Sequence, residues 1–427
     1  MDKANKRKTN KCATPRRDNP SGRIISTVDT QYIRMDMQAL KDEARAMQTR
    51  LIKTRRYLHA HAETGFDLPA TKQYVIQALR ALGYAPKELG RAGVVADVGK
   101  GRTAFLLRAD MDGLPITEKT GLSFACKTGA MHACGHDMHT TMLLGCAELL
   151  KNHESELPCK VRLLFQPAEE LLEGAKDCIK NGGLENVSCA MMLHVLTGLP
   201  MPAGTWVIAE DVSAPSADYF TINVKGKACH GGTPQNGVDA LSIGARIVLG
   251  MEEIVAKETP SSTRAVLTVG KMQGGVAGNA IAERVEMQGT LRCFGEDTRA
   301  FIKRRIKETA QGIAKTFRGK ATFSLQGGCP SLINDRGRVE FTKKALGQVF
   351  DENTVLLSSK MQGTRERSGG SEDFAYIAHE VPSVMIGLCA GEESKGYTQP
   401  LHHASVNFDE EVLWQGALAF AVCALTN

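Results

Sequence analysis

The feature that most constrains this chain is a change of grammar along its length. From Val94, short apolar runs alternate with amphipathic stretches. Thr103-Ala-Phe-Leu-Leu-Arg108 reads as a buried strand running into Asp110-Met-Asp112, and Thr140 to Asn152 has helical spacing through Leu143, Ala147 and Leu150. Lys160-Val-Arg-Leu-Leu-Phe165 and Cys189-Ala-Met-Met-Leu193 read as two further strands. Strands separated by helices predict an α/β fold with a doubly wound, mostly parallel sheet. Between Ser213 and Gln326 the order becomes βαββαβ, a ferredoxin-like unit. There Phe220, Ile222 and Val224 alternate with polar residues, as do Val285, Met287 and Leu291. The first grammar then resumes: Ser371-Glu-Asp reads as a capped helix start with an acidic first turn, Ser383-Val-Met-Ile-Gly-Leu388 as a strand, and Asp409 to Leu425 as a closing helix.

A chain of 427 residues exceeds what one core usually serves. The expected division is a basic tail at 1–32, a catalytic domain in two parts at 33–212 and 327–427, and an inserted α+β domain at 213–326. The net charge of +6 sits mostly in the tail, where residues 1–30 hold eight Lys/Arg against three Asp/Glu. The folded part is therefore near neutral, which argues against nucleic acid as a partner, as does an aromatic content of 5%. No apolar run reaches the length a membrane helix needs, and no apolar region follows the N-terminal basic residues as in a secretory signal. Twelve cysteines without a Cys-x-x-Cys spacing predict reduced thiols and a cytoplasmic location.

Possible metal ligands fall where such a sheet would gather them. Asp110 and Asp112 follow one strand, Glu169 and Glu170 follow another, and His194 ends a third, while Cys134, His136 and His139 lie in a glycine-containing loop that opens a helix. In an open parallel sheet the carboxyl ends of the strands form one ligand-binding rim. Cys134-Gly-His136 sets thiolate and imidazole two residues apart, with Gly135 allowing the tight turn both need to face one point. A mixed Cys, His and carboxylate set suits Zn²⁺, with Mn²⁺, Co²⁺ or Ni²⁺ compatible. A metal hydrolase also needs a carboxylate that is not a ligand, to move a proton from water to the leaving amine. Consecutive glutamates can divide that labour, although spacing alone does not say which does which.

Asp110-Met-Asp112 with Leu114-Pro115, Met131-His-Ala-Cys-Gly-His-Asp137, Gln166-Pro-Ala-Glu-Glu170, Leu193-His194, Gly226-Lys-Ala-Cys-His230 and Leu401-His402 occur in this order. In these motifs the chain resembles the hippurate hydrolase and auxin-conjugate amidohydrolase branch of the aminoacylase/carboxypeptidase-like metallopeptidases. The resemblance implies a zinc-peptidase-like fold whose inserted domain acts as lid and dimerisation unit. It implies Cys134, His136, Glu170, His194 and His402 as ligands of two divalent metal ions per subunit, with His403 the alternative to His402. It implies Glu169 as general base and His230 as a carbonyl-polarising group, commonly supplied to the partner subunit's site. Asp112 would orient a ligand, and Asn279 and Arg292 would contact substrate. The chain departs from the family at His59-Ala-His-Ala-Glu, Leu68-Pro-Ala-Thr71 and His403-Ala-Ser, none of which removes a ligand or the base.

The expected activity is cleavage of N-acyl or N-aroyl amino acids, with a homodimer or higher homo-oligomer as the assembly. The alternatives are a dipeptidase or carboxypeptidase of the same family, a metal-free cysteine hydrolase using Cys134 and His136, and a binding protein without turnover.

Overall fold

The computed structural model describes residues 36–360 and 370–427. The basic tail expected at 1–32 lies outside the described residues.

Why the chain folds as it does is plainest at the centre of its larger sheet. Ala104–Asp110 is buried at every position, and its side chains supply both faces with apolar groups apart from Arg108 and Asp110. Such a strand is stable only with covering layers above and below. It lies between Lys160–Gln166 and Val187–Leu196, parallel to both, and Ser383–Cys389 adds in parallel beyond Val187–Leu196. Gly93–Val98 and Lys87–Leu89 extend one side antiparallel. Trp206–Ile208 joins the other side antiparallel to Ser383–Cys389, and Val355–Leu357 pairs with it in parallel. The result is an eight-stranded mixed sheet, parallel at its centre.

Leu106, Leu164, Ala190 and Met192 on one face pack with Ala175, Cys178 and Ile377 from two short helices, Gly174–Lys180 and Ala375–Glu380, and with Phe374 just before the second. The other face carries His136–Asn152, against which Leu413–Leu425 packs. That last helix is apolar nearly all round, as a helix enclosed on all sides must be. Its Gly416 and the facing Gly145 admit no side chain: a Cβ on Gly416 would lie 2.2 Å from Met142 Sδ.

A second, four-stranded antiparallel sheet has the order Ala265–Gly274, Arg284–Cys293, Ser216–Lys225, Lys320–Cys329. Helices Ala240–Lys257 and Glu296–Thr316 cover one face, and the expected alternating residues Phe220, Ile222, Val224, Val285, Met287 and Leu291 join Ile243, Ile247, Ile302 and Ile306 in its core. The last strand runs to Cys329, three residues past the boundary expected at Gln326. No helix among the described residues is long and apolar enough to cross a membrane, and the described cysteines are all free thiols.

One expected element is different. Ser371-Glu372-Asp373 does not cap a helix; the helix begins at Ala375 without a side-chain cap. Both carboxylates turn inward to meet Arg108, whose Nη2 lies 3.0 Å from Glu372 Oε1 and 2.8 Å from Asp373 Oδ1. A fully buried guanidinium needs such partners more than a six-residue helix needs a cap.

Candidate metal centre

Four adjacent strands bring the sequence-selected residues to one rim. Asp110 and Asp112 stand at the end of Ala104–Asp110, Glu169 and Glu170 beyond Lys160–Gln166, and His194 near the end of Val187–Leu196. His402 comes from the loops that follow Ser383–Cys389. Gly135 has φ +84° at the start of the His136–Asn152 helix, and a Cβ there would lie 2.3 Å from Val195 Cγ2. Only glycine lets the Cys134–His136 turn press so closely on the neighbouring strand.

The donor atoms form overlapping groups. Cys134, His136 and His194 make one and Cys134, Glu170 and His402 another, so the thiol belongs to both; His136 also groups with Glu169 and Glu170. His194 Nε2 lies 3.5 Å from Cys134 Sγ, and its Nδ1 donates to Val195 O at 2.7 Å, which leaves Nε2 as the donor-set nitrogen. His402 Nε2 is 3.3 Å from both Cys134 Sγ and Glu170 Oε1. Its backbone takes φ +65°, an uncommon conformation for histidine, with its N–H donating to Ala133 O. His403 is turned elsewhere, its Nδ1 accepting from Ser405 N, so His402 is the histidine at the cluster.

Burial opposes ionisation of the Cys134 thiol, yet the histidines around it, His194 foremost, together outweigh that effect and lower the thiol to about 6. Burial likewise opposes charge on His194, and Cys134 reverses this, raising it to about 9. Hydrogen bonds to Cys134 and Glu170 raise His402 to about 10. The centre is thus a tight ion cluster of the donor types a borderline-soft cation prefers.

The residues fit a metal pair on a further observation. Both ring nitrogens of His136 are buried without a hydrogen-bond partner among the described residues, whereas buried imidazoles ordinarily use their nitrogens. His132 is orphaned as well, but it enters none of the donor groups among the described residues.

Around the cluster, Asp112 accepts from the backbone N–H groups of Glu169 and Glu170 at 3.0 and 3.2 Å and lies 3.6 Å from His136 Nδ1. One carboxylate thereby fixes the turn that carries both glutamates into the cluster. Glu169 is buried, and its Oε1 accepts from Asp373 N at 3.3 Å. Burial, with Glu372, Glu170 and Asp373 close by, raises its carboxyl well above the usual range.

His139, one of the candidate ligands read from the sequence, does not have a free nitrogen. Its Nδ1 donates to Asp110 Oδ1 at 2.6 Å and its Nε2 accepts from Val195 N at 2.8 Å. It braces the strand that carries His194.

His230 and Asn279 are placed together, both exposed, at a separate two-stranded ribbon of Cys229–His230 and Ala280–Ile281. His230 pairs with Ala280, and Gly231 N donates to Asn279 O at 2.7 Å. Gly232 N donates to His230 Nδ1 at 3.0 Å, so the ring proton sits on Nε2 and faces outward as a donor. Their hydrogen bonds among the described residues stay within this local structure and do not reach the cluster. Arg292 does reach the catalytic body: Nη1 donates to Ser371 Oγ at 2.7 Å and Nη2 to Tyr219 Oη at 3.3 Å.

Two supporting networks are absent from the sequence reading. Arg108 donates from Nη1 to Asp110 Oδ2 at 2.6 Å and from Nε to Gln166 Oε1 at 3.0 Å, and Gln166 Nε2 donates to Asp373 Oδ1 at 2.7 Å. A charged residue inside the apolar run Phe105-Leu-Leu-Arg108 is the signal that buried counter-charges exist, though not where. The other network lies behind the cysteine loop, where Arg55 Nε and His59 Nδ1 both meet Asp137 Oδ2 at 2.8 Å, and His59 Nε2 lies 3.1 Å from Glu118.

This second network has a pH consequence. Burial opposes ionisation of Asp137, but Arg55 and His59 hold its carboxyl far below the usual range. Its stabilisation is present above an unfolded value near ~4 and is lost as pH falls through the depressed folded value. For His59 burial again opposes charge, and hydrogen bonds to Asp137 and Glu118 raise it overall. Its contribution is full below about 6.5 and is lost as pH rises through the raised folded value. Urea midpoints from pH 3 to 9 should fall at both ends in the parent protein, and the alkaline fall should flatten in His59→Gln. An unchanged alkaline limb in that variant would remove His59 as its cause.

Comparison with known proteins agrees with this geometry. Residues 106–426 match the model of peptidase family M20/M25/M40. The N-acetylcysteine deacetylase of Bacillus subtilis is 33% identical over 387 residues, covering 89% of this chain and 97% of the relative. The IAA-amino acid hydrolase ILR1-like 2 of Arabidopsis thaliana is 32% identical over 382 residues, covering 88% and 84%. The crystal structure of the YXEP protein of Bacillus subtilis, described as a dinuclear metal-binding peptidase from the M20 family, superposes with a TM-score of 0.75 at 30% identity, covering 89% of this chain and 98% of that one. With its thiol, imidazole and carboxylate donors gathered on one sheet rim, this chain belongs to peptidase family M20/M25/M40 and is an amidohydrolase.

Proposed function

We propose that the chain hydrolyses N-acyl or N-aroyl amino acids to a carboxylic acid and a free amino acid. The observation that carries this reading is Glu169: a buried carboxyl touching the donor cluster, held by a backbone N–H, on a turn that directs its neighbour Glu170 to His402. Both relatives named above for a substrate act, by their names, on an amino acid carrying an acyl group. In this reading Cys134, His136, Glu170, His194 and His402 hold two divalent ions, Zn²⁺ or Mn²⁺, with Co²⁺ or Ni²⁺ also suited to the donors. When bound, the ions supply Lewis-acid polarisation of the carbonyl and a more acidic water.

The chain's own groups do the rest. Glu169 takes the proton of the attacking water and returns it to the departing amine, a shuttle for which a raised carboxyl pKa is suited. Asp112 keeps Glu169 and Glu170 in register. Arg292 grips the substrate carboxylate, as its forked donors allow. His230, with its proton on Nε2, donates to the developing oxyanion, and Asn279 beside it contacts substrate. Because both sit on an exposed segment away from their own cluster, we place them in the site of a second copy, which makes the working unit a homodimer or higher oligomer. We place the enzyme in the cytoplasm, where free thiols persist.

The test is a panel of N-acetyl and N-benzoyl amino acids, and dipeptides, assayed after chelation and after return of Zn²⁺, Mn²⁺ or Co²⁺. Activity on the acyl amino acids should vanish with the metal and return with it. Full turnover by metal-free protein would sink this mechanism in favour of a Cys134 nucleophile. A clear preference for dipeptides would move the assignment to a peptidase, in line with a carboxypeptidase relative from Saccharolobus solfataricus at 31% identity.

A further inference from the structure

Arg292 belongs to the second sheet, yet its best hydrogen bond is to Ser371 of the catalytic body. Both of its hydrogen-bond partners are hydroxyls, and no carboxylate pairs with it among the described residues. Each hydroxyl oxygen already accepts from the guanidinium, so each hydroxyl proton is directed elsewhere. A cation set among donors in this way is an anion seat.

What lies next to Ser371 gives the seat a fixed address. Glu372 is 3.0 Å from Arg108, and its Oε1 also accepts from Phe374 N at 3.0 Å. Asp373 is pinned by Gln166 Nε2, Arg108 Nη2 and Ala175 N at 2.7–2.8 Å. Its own N–H holds Glu169 Oε1 at 3.3 Å. Three consecutive residues thus join the group that holds Arg292 to the group that holds the base, and from Ser371 to Asp373 they span at most roughly 7 Å between Cα atoms. The pinning carboxylates are buried, so this bridge cannot lengthen without breaking charged hydrogen bonds.

We propose that Ser371 is a positioning residue that sets the distance between the substrate's carboxylate and Glu169, making the enzyme selective for N-acyl α-amino acids over their β-homologues. This rests on the amidohydrolase reading above and adds a gauge to it. Without Ser371, Arg292 is held only through its own sheet and by Tyr219, and can follow a carboxylate displaced by one methylene. Remote binding energy then no longer aligns the scissile bond, and the loss appears in kcat more than in KM.

The experiment compares an N-acyl α-amino acid with the N-acyl β-amino acid bearing the same acyl group, using metal-loaded full-length protein. The parent enzyme should favour the α-substrate about 100-fold in kcat, as expected for a misplacement near 1 Å. Ser371→Ala should cut that preference by about tenfold, and Ser371→Thr, which keeps the hydroxyl, should restore it. An unchanged α/β ratio in Ser371→Ala overturns the proposal, as does an equal loss on both substrates, which is the mark of general damage. A parent enzyme that turns over both alike overturns the gauge and leaves the amidohydrolase reading intact. A parent enzyme that cleaves neither overturns both.

Discussion

Glu169→Gln should lower kcat by about 10²–10⁴-fold, the usual worth of a positioned general acid–base, while leaving KM and bound metal close to the parent values. Glutamine keeps the shape and can still accept from Asp373 N, but it can neither take nor return a proton. Its neighbour provides the control. Glu170→Gln alters a group that faces His402 and Cys134, so its first effect should be lost metal, read by atomic absorption after dialysis. If the two variants exchanged phenotypes, the division of labour between the glutamates would be reversed. A Glu169→Gln enzyme near full rate would place the base elsewhere.

Arg108→Met should be the most damaging single change to stability. It leaves Asp110, Glu372 and Asp373 in the interior without their shared cation. Removing one partner from a buried ionic group typically costs about 3–5 kcal/mol, a large share of a domain's net stability. Even with Arg108 present, burial keeps Asp373 at about 7, above the ordinary carboxylate range. Without it, the Asp373 carboxyl would bind its proton still more tightly in the folded state, so the variant should regain stability as pH falls. Denaturant titrations at pH 5 and 8 would check both parts. A midpoint unchanged at both values would mean that the network contributes little.

Much of this centre could be read from the chain alone because the sheet does the gathering. Residues at the carboxyl ends of parallel strands must meet at one rim, so Asp112, Glu169, Glu170 and His194 were predictable companions. Cys134 and His136 were legible from a glycine that the observed φ of +84° requires. The choice between His402 and His403 was not, since it turns on one residue in the left-handed region and on which ring meets Cys134. Position alone left His139 among the possible ligands, although the resemblance did not include it: only three dimensions reveal that Asp110 and the Val195 N–H already use both nitrogens. Ser371-Glu372-Asp373 was read as a capped helix start with an acidic first turn because local sequence offers a cheap role for acidic residues. Their actual partner, Arg108, lies more than 260 positions away.

The order in which the donors occur along the chain has a bearing on how the protein is made. Cys134, His136, Glu170 and His194 are all synthesised before the second sheet, whereas His402 follows it. The helix that packs against the one bearing His136, Leu413–Leu425, is synthesised later still. A growing polypeptide can therefore form the early strands and fold the second sheet as a unit while the proposed donor set still lacks His402. A product terminated before His402 would thus carry the recognisable cysteine-loop motif without the full ligand set proposed above.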